Sequence, residues 1–509
     1  MKNGQVVVIG AGMAGLAAAL AMAARGIDVT IVEREQRPGG KMREVVVGNQ
    51  PIDSGPTVLT MRWVFDELFG ELGERLEDHI GLQPLQVLAR HAWTDGTQLD
   101  LFADEARSAD AIGNFAGAAD AKGYLAFCAD AKKIFDVLKA PFICAPTPSM
   151  TALLRSSGFC DLTAIRPFQT MWKALGGYFG DPRLRQLFGR YATYCGSSPF
   201  DAPATLMLVA HVESAGVWTV DGGMYRLAAA LAELAIRRGV RIRYGLDVSG
   251  IITSSGRAAG VRLSNGERIE ADSVIATADV NALAQGLFGN DAAKTVARIP
   301  EAARSLSAMT WSYLARANGF PLLRHSVFFS RDYRAEFDSI FTRQQMPIEP
   351  TVYVCAQDRD GRAAETASPE RLFVLINAPA IGDRHRFEPM EVSQCARRTF
   401  GLLQRCGLTL ETTPELTQVT TPSDFDRMFP GTGGALYGRS SHGWMASFQR
   451  PGARTKLPGL YLAGGSAHPG PGVPMAVLSG WMAGTRVIED RASTARSRTT
   501  AMRGGMSTR

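Results

Sequence analysis

The fold is decided by residues 6–15, which read Val6-Val7-Val8-Ile9-Gly10-Ala11-Gly12-Met13-Ala14-Gly15. A β-branched run that ends in G-x-G-x-x-G and continues into an Ala- and Leu-rich segment predicts a strand, a tight turn and a helix. The glycines let the backbone approach a pyrophosphate, and the amino terminus of the helix then faces that anion. The spacing alone is a weak signal, so the flanking residues have to support it.

The residues that follow complete a dinucleotide-binding pattern. Leu16 to Ala24 reads as a helix that Gly26 ends, and Val29 to Val32 reads as a second strand with Glu33 at its tip. The Glu33 carboxylate comes about twenty residues after the glycines, where it accepts a hydrogen bond from a ribose hydroxyl and repels a 2′-phosphate. These residues by themselves allow either NAD or FAD.

Composition narrows the class of protein. The chain has 509 residues, of which 46% are hydrophobic and 20% are charged, and a net charge of +6. These values predict a globular protein of two or three domains and give no indication of a nucleic-acid partner. The sequence has no run of eighteen apolar residues, which argues against a spanning helix. Its seven cysteines form no C-x-x-C pair and its seven histidines form no H-x-x-x-H pattern, so no metal site is predicted.

The domains are predicted to be discontinuous. Residues 1–62, 205–299 and 424–490 carry strand and turn patterns typical of a nucleotide-binding domain. Residues 63–204 and 300–423 are richer in helical stretches, aromatic residues and leucine, and we expect them to form a substrate domain that contacts a membrane. Residues 491–509 contain five arginines and no acidic residue. We expect them to form a basic, flexible and solvated tail, although they could also touch anionic lipid.

Three more glycine-rich turns accompany the fingerprint. They are Gly39-Gly40-Lys41, then Asp53-Ser54-Gly55-Pro56-Thr57, and finally Gly464 to Pro474 before a small-residue helix. Main-chain amides, a cation and a helix amino terminus all favour an anionic group. Since these turns are distant from one another in the chain, they predict an extended cofactor that is held at both ends.

In this order, the motifs resemble those of the phytoene-desaturase-like flavoproteins, which are relatives of the amine oxidases and bind FAD. The resemblance spans almost the whole chain and includes Asp221-Gly222-Gly223-Met224. It implies an α/β fold with a Rossmann-like FAD-binding domain and a discontinuous α+β substrate domain. It also implies that the cofactor is contacted by Gly10, Ala11, Gly12, Met13, Ala14, Gly15, Glu33, Arg34, Gly40, Lys41, Met42, Gly55, Pro56, Thr57, Val248, Gly464, Gly465, Ser466, Val473, Pro474 and Met475.

Two stretches narrow the resemblance. His468-Pro469-Gly470-Pro471-Gly472-Val473-Pro474 is similar to the corresponding run in carotenoid desaturases, and Tyr191 to Pro199 with Ala210 to Glu213 resembles the hydroxyneurosporene desaturases of phototrophic bacteria. This implies formation of the 3,4 double bond of 1-hydroxy- or 1-methoxycarotenoids. Met475 stands where many phytoene desaturases have glycine. Phytoene, another isoprenoid or an amine therefore remain alternative substrates, and a prenyl-chain escort protein remains the non-enzymatic alternative.

The implied chemistry places few demands on the protein. Desaturation moves a hydride to the flavin and releases a proton, and the conjugated chain stabilises the intermediate cation. His211, Glu213 and His468 are candidate proton acceptors, for which a structural role is the favoured interpretation. Because the substrate is a membrane hydrocarbon, we expect a peripheral protein at the cytoplasmic side of the membrane. With only one nucleotide fingerprint, we expect oxygen or a quinone as the electron acceptor.

Overall fold

A computed structural model describes residues 4–147, 149, 165–359 and 369–503. Cys160 and the end of the predicted tail lie outside these residues. A five-stranded parallel sheet has the order β20-β13-β1-β2-β9. Its strands are β1 (Val6–Ile9), β2 (Val29–Val32), β9 (Arg241–Arg243), β13 (Ser273–Ala276) and β20 (Leu460–Leu462).

Helices and a β-meander cover the two faces of this sheet. On one face pack α1 (Met13–Ala23), α8 (Tyr225–Arg237) and α14 (Val473–Arg503). On the other face lies the antiparallel meander of β10 (Val248–Ser254), β11 (Arg257–Leu263) and β12 (Arg268–Glu270). Strand β1 is buried on both faces, which explains why its sequence is apolar without alternation.

A second, larger sheet forms the base of the substrate domain. Its order is β18-β14-β17-β16-β15-β6-β7, and β19 also pairs with β14. The pairing is antiparallel except between β6 and β15. The strands are β6 (Val87–Ala92), β7 (Gln98–Phe102), β14 (Ser307–Asn318), β15 (His325–Phe328), β16 (Val352–Ala356), β17 (Glu370–Ala378), β18 (Thr409–Glu411) and β19 (Thr417–Thr420).

Helices cover this sheet as well. One apolar cluster joins α3 (Glu105–Ala116), α4 (Ala118–Leu138), α5 (Met171–Leu175), α6 (Pro182–Gly189), α7 (Leu208–Ser214) and α11 (Tyr333–Phe337). A separate cluster packs α12 (Pro389–Arg405) against β14, β16 and β17. The remaining elements are β3 (Glu44–Val47), β4 (Gln50–Asp53), β5 (Leu82–Pro84), β8 (Trp218–Val220), α2 (Trp63–Glu71), α9 (Val280–Ala284), α10 (Asn290–Ala293) and α13 (Pro422–Met428).

The boundaries in the structure differ in places from those predicted. Helix α2 packs its apolar residues into the nucleotide-domain core, so the chain leaves that domain near residue 80 rather than at 62. Residues 205–217 belong to the helical cluster of the substrate domain. One of the helical stretches predicted in residues 63–204 is short, Met171–Leu175, because Gly176 and Gly177 follow it directly. Helix α14 continues to Arg503, into the segment predicted to be a flexible tail.

Candidate cofactor and substrate site

The predicted cofactor residues meet at one edge of the parallel sheet. In a parallel sheet all carboxyl ends lie at the same edge, where open α/β proteins bind their ligands. Gly10 follows β1, Glu33 follows β2, and Gly464 comes two residues after β20. The tertiary structure thereby joins turns that are more than 400 residues apart in the chain.

The first glycine turn leaves the amino terminus of α1 open. Gly12 is the N-cap residue, and no side chain of the described residues caps the helix. Gly12 lies against Gly39, whose N–H donates to the Ala11 carbonyl at 2.9 Å. A Cβ on Gly15 would lie 2.0 Å from the Gly10 oxygen, so this position requires glycine. Uncapped amides beside a second glycine turn are what a diphosphate group binds.

The Glu33 carboxylate is fixed by hydrogen bonds from backbone N–H groups of the first glycine turn and of its own segment. Its Oε2 accepts a hydrogen bond from Ala11 N at 2.6 Å and its Oε1 accepts from Glu35 N at 2.9 Å. Burial raises the pKa of this carboxyl, and the two backbone N–H donors oppose the shift. The carboxylate keeps free lone pairs that suit ribose hydroxyls. The Arg34 side chain forms no hydrogen bond with the Glu33 carboxylate. Its guanidinium donates a hydrogen bond to the Met428 carbonyl.

Lys41 contributes a cation on the far side of the Gly39–Gly40 turn. Its Nζ donates to the Leu436 carbonyl at 2.6 Å and lies 5.2 Å from the centre of the Phe429 ring. Burial lowers the pKa of Lys41. A Cβ on Gly55 would lie 2.0 Å from the Lys41 oxygen, which shows how closely the Gly55-Pro56-Thr57 turn packs here. Met42 beside it is buried.

The loop after β20 forms the other end of the site. Gly464 has φ +114° and donates its N–H to Ser479 Oγ at 3.0 Å, and Ser466 Oγ accepts from Val280 N at 3.0 Å. Val473, Pro474 and Met475 form the first turn of α14. Val248, predicted to cover the adenine, is buried at the start of β10.

Sequence reasoning missed Arg450, which forms hydrogen bonds to the loop that follows β20. Its guanidinium is buried and donates to the carbonyls of Gly465 at 2.9 Å, Tyr437 at 3.1 Å and Arg439 at 2.6 Å. Burial lowers its pKa to about 10. Within the described residues, neither Arg450 nor Lys41 forms an ion pair with a carboxylate. Two such cations suit an anionic cofactor, and no local pattern in the sequence marks Arg450.

The three candidate proton acceptors belong to separate hydrogen-bond systems. His468 Nε2 donates to the carbonyls of Phe142 and Ala145, both at 2.9 Å, and burial lowers its pKa. The half-buried ring of His211 packs 5.0 Å from Phe135, and burial lowers its pKa too. Glu213 accepts hydrogen bonds from two tyrosines. The structure does not bring these three side chains together as one catalytic group.

The described residues outside the glycine turns show three further features. In the portion of the chain that is described, no cluster of three or more His, Cys, Asp or Glu side chains could hold a metal ion. No described helix is both long and apolar enough to cross a membrane. An open cleft of about 1130 Å³ is lined by Gly4, Gln5, Asp28 and Asp272. These residues lie at the amino ends of the strands, opposite the glycine turns.

Comparison with known proteins decides the family. The family described as flavin-containing amine oxidoreductases matches residues 13–488. The chain belongs to the flavin-containing amine oxidoreductase family. Its cofactor is FAD, and the uncapped α1 terminus, the Glu33 carboxylate and the Gly464 loop fit that group. The protein is therefore an FAD-dependent oxidoreductase, and the predicted flavoprotein resemblance is confirmed.

Relatives within this family carry names that agree with the sequence motifs. Hydroxyneurosporene desaturase of Rubrivivax gelatinosus is 53% identical over 513 residues, covering 100% of this chain and 98% of the relative. The protein of the same name from Cereibacter sphaeroides is 44% identical, covering 97% and 99%. The 4,4′-diapolycopene oxygenase of a Methylomonas species is 29% identical, covering 96% and 99%.

Solved structures confirm the predicted fold class. An oxidoreductase from Methanosarcina mazei aligns with a TM-score of 0.59 at 16% identity, over 95% of this chain and 100% of that one. Putrescine oxidase bound to putrescine aligns with a TM-score of 0.59 at 14% identity, over 96% and 99%. At these identities the likeness concerns the fold alone.

Proposed function

We propose that the protein is an FAD-dependent carotenoid desaturase that forms the 3,4 double bond of 1-hydroxy- or 1-methoxycarotenoids in carotenoid biosynthesis. The observation that carries the proposal is the 53% identity to a hydroxyneurosporene desaturase across the entire chain. The Tyr191-to-Glu213 region supports it, because both tyrosines of that motif hydrogen-bond to Glu213.

The chemistry divides between cofactor and protein. When bound, FAD supplies a two-electron acceptor for the hydride that leaves the allylic carbon of the carotenoid. The protein binds and orients the apolar chain and keeps water from the reacting carbons. The neighbouring carbon loses a proton, which a conjugated cation releases without a strong base. The substrate domain has an extensive aromatic core, which includes Phe127, Phe179 and Phe188.

An amine is the less suitable substrate. Near the Gly55-Pro56-Thr57 turn stands Arg190, which is half-buried and forms no ion pair within the described residues. An ammonium group brought close to that guanidinium would be repelled. A neutral polyene meets no such penalty.

We also propose that the protein works at the cytoplasmic side of a membrane as a peripheral protein and that oxygen or a quinone reoxidises the flavin. An exposed aromatic pair supports the membrane part of the proposal. Phe168 is 80% exposed, Trp444 is 44% exposed, and their ring centres lie 5.3 Å apart beside the partly exposed Met445. Tryptophan at the surface suits the interface between lipid headgroups and hydrocarbon.

Substrate identity is tested by anaerobic mixing. The FAD-loaded protein is mixed separately with 1-hydroxyneurosporene, neurosporene and phytoene, and the flavin and polyene spectra are recorded. We expect rapid flavin bleaching and a red-shifted polyene spectrum with the hydroxylated carotenoid. Bleaching with phytoene only would contradict the proposed substrate while leaving the flavoprotein assignment intact.

The membrane proposal is tested by flotation with anionic liposomes at low and high salt. We expect the wild-type protein to float with the vesicles and the F168S/W444S double variant to lose most of that association. Ile348→Ser is the matched control, because Ile348 is 75% exposed at another place. Equal flotation of all three proteins would overturn the role of the aromatic pair, and no flotation of the wild type would overturn the membrane proposal.

A further inference from the structure

A polar cluster is buried among the aromatic and aliphatic side chains of the substrate domain. Glu213, on α7, accepts hydrogen bonds from the hydroxyl groups of Tyr191 and Tyr194, the second at 3.0 Å. Its carboxyl is almost fully buried, and burial raises its pKa. Since both carboxylate oxygens are occupied by tyrosines, the arrangement holds the Tyr194 ring in place and leaves Glu213 itself poorly placed for a ligand.

Arg190 lies next to this pair with most of its donors unused. Its Nη1 is 3.4 Å from the Tyr194 hydroxyl, and its guanidinium carbon is 5.5 Å from the centre of the Tyr194 ring and 5.4 Å from that of Tyr353. Among the described residues this contact to Tyr194 is the sole hydrogen bond of the Arg190 guanidinium, and no carboxylate lies within ion-pair distance. A guanidinium has five N–H donors, and one enclosed by aromatic rings normally finds partners for them.

Tyr353 connects this cluster to the predicted cofactor turn. Its hydroxyl is 2.7 Å from Thr57 Oγ1 and 2.7 Å from His325 Nδ1. Burial lowers the pKa of His325 to about 3, so the imidazole is neutral and its Nδ1 can accept a hydrogen bond from the Tyr353 hydroxyl. Arg190 also acts electrostatically on Tyr437, whose carbonyl accepts from the loop-bracing Arg450. The Arg190 guanidinium is therefore connected to the Thr57 turn through Tyr353.

We infer that Arg190 binds the C1 oxygen of the carotenoid and thereby selects hydroxylated or methoxylated chains. This inference rests on the proposed function. Arg190 only donates hydrogen bonds, and both a hydroxyl and a methoxy oxygen accept them, so one residue serves both substrates. The C1 oxygen is separated from C3 by three covalent bonds and so lies within about 4 Å of it. A group that binds this oxygen must therefore stand beside the cofactor, where Thr57 and Tyr353 place Arg190.

The polar cluster also sets the position of the chain. With the C1 oxygen on Arg190, the C3–C4 bond lies at a fixed distance from the guanidinium, and a chain that lacks the oxygen is free to slide. Arg190 is in this sense a specificity-determining and positioning residue. A chain that carries the oxygen gains a hydrogen bond from Arg190 that a chain without it does not form, and this difference favours the oxygenated chain.

The test compares two substrates in FAD-loaded variants. In Arg190→Met, we expect kcat/KM for 1-hydroxyneurosporene to fall by about 10- to 100-fold, the range for losing a hydrogen bond to a charged donor. We expect the value for neurosporene to change by less than about threefold on the same argument, because no hydrogen bond is lost. Arg190→Lys keeps a donor and should recover part of the difference. A second measurement, the Kd of the hydroxylated product from the perturbation of flavin absorbance, should follow the same order.

A matched control comes from α6, the helix that ends directly before Arg190. Arg185, on α6, is half-buried and donates to the Phe179 carbonyl at 2.7 Å. Arg185→Met should lower the activity towards both carotenoids to the same extent, whatever its effect on stability. Equal losses for the two carotenoids in R190M, or an unchanged preference, would overturn the inference. If the wild-type protein desaturates neither carotenoid, the proposed function itself fails. If it desaturates both carotenoids equally well, only the inference about Arg190 fails.

Discussion

The carboxylate of Asp53 lies 2.6 Å from the backbone nitrogen of Met224 and accepts its hydrogen bond. It also accepts from Tyr225 N at 3.0 Å, so Asp53 satisfies free amides at the start of α8 from 171 residues away. Gln357 in turn bonds to both backbone polar groups of Asp53. Two motifs that are separate in the chain, Asp53 to Thr57 and Asp221 to Met224, are therefore parts of one structure.

We expect Asp53→Ala to lower the free energy of unfolding by about 1–3 kcal/mol, because buried N–H donors lose their acceptor. Asp53→Asn should cost less, since its amide oxygen still accepts. Denaturant titration measures both. The exposed Asp221 serves as the control, and D221A should stay near the wild type. If D53A and D221A are equally stable, Asp53 does not hold the two motifs together.

Gly15→Ala should prevent stable FAD binding. Its Cβ would meet the Gly10 oxygen at 2.0 Å, so the turn must open at a cost of about 2 kcal/mol or more. The flavin-to-protein absorbance ratio after gel filtration measures the effect. Gly70 on α2 is the control, because a Cβ there meets nothing within 4 Å. G70A should retain FAD and gain slight stability. Full retention of FAD by G15A would show that the turn tolerates a side chain.

His91 should make the protein less stable in acid. Burial lowers its pKa to about 3, whereas in the unfolded chain the group takes up a proton below its ordinary value of 6.5. The unfolded state therefore binds more protons between these two values, and stability is lost as the pH falls from 6.5 towards 3. The expected slope from this one group approaches about 1.4 kcal/mol per pH unit.

The slope is checked by denaturant titration of the wild-type protein and His91→Gln between about pH 7 and pH 5. The variant is expected to be less stable at neutral pH, because it loses the bond from His91 Nδ1 to the Leu99 carbonyl. Its stability should also depend less steeply on pH. Parallel curves for the two proteins would contradict the prediction.

His468 should act as an anchor rather than as a base. Its Nε2 holds the carbonyls of Phe142 and Ala145, and its ring lies 4.9 Å from that of Phe142. We expect His468→Leu to increase proteolytic cleavage near residues 139–147. His468→Gln, which still offers an N–H donor, should be cleaved more slowly than His468→Leu. If cleavage stays at the wild-type rate in both variants while turnover stops, the anchoring role is wrong and a chemical role is supported.

Much of the nucleotide domain could be predicted because its signals are local. Strand β2 begins and ends at Val29 and Val32 as predicted, and α1 begins three residues earlier and ends one residue earlier than predicted. Glycines with positive φ, such as Gly10 and Gly464, mark turns whose conformation the residue type itself favours. The packing of α2 was harder to predict, because its apolar face would suit either core.

The sequence by itself determined that the cofactor is a dinucleotide. The spacing of the glycines and the acidic residue at a strand end are local features that specify the geometry of such a site. The sequence motifs also singled out Tyr191, Tyr194 and Glu213, but they did not predict which residues these side chains contact. Only the tertiary structure decided that Glu213 forms hydrogen bonds with both tyrosines. It also placed Arg190 against the rings of Tyr194 and Tyr353 and directed the Arg450 guanidinium to the Gly465 carbonyl. The physical reason is that the carbonyls and rings around Arg190 and Arg450 come from parts of the chain that are distant in sequence. No local pattern of residues encodes those contacts.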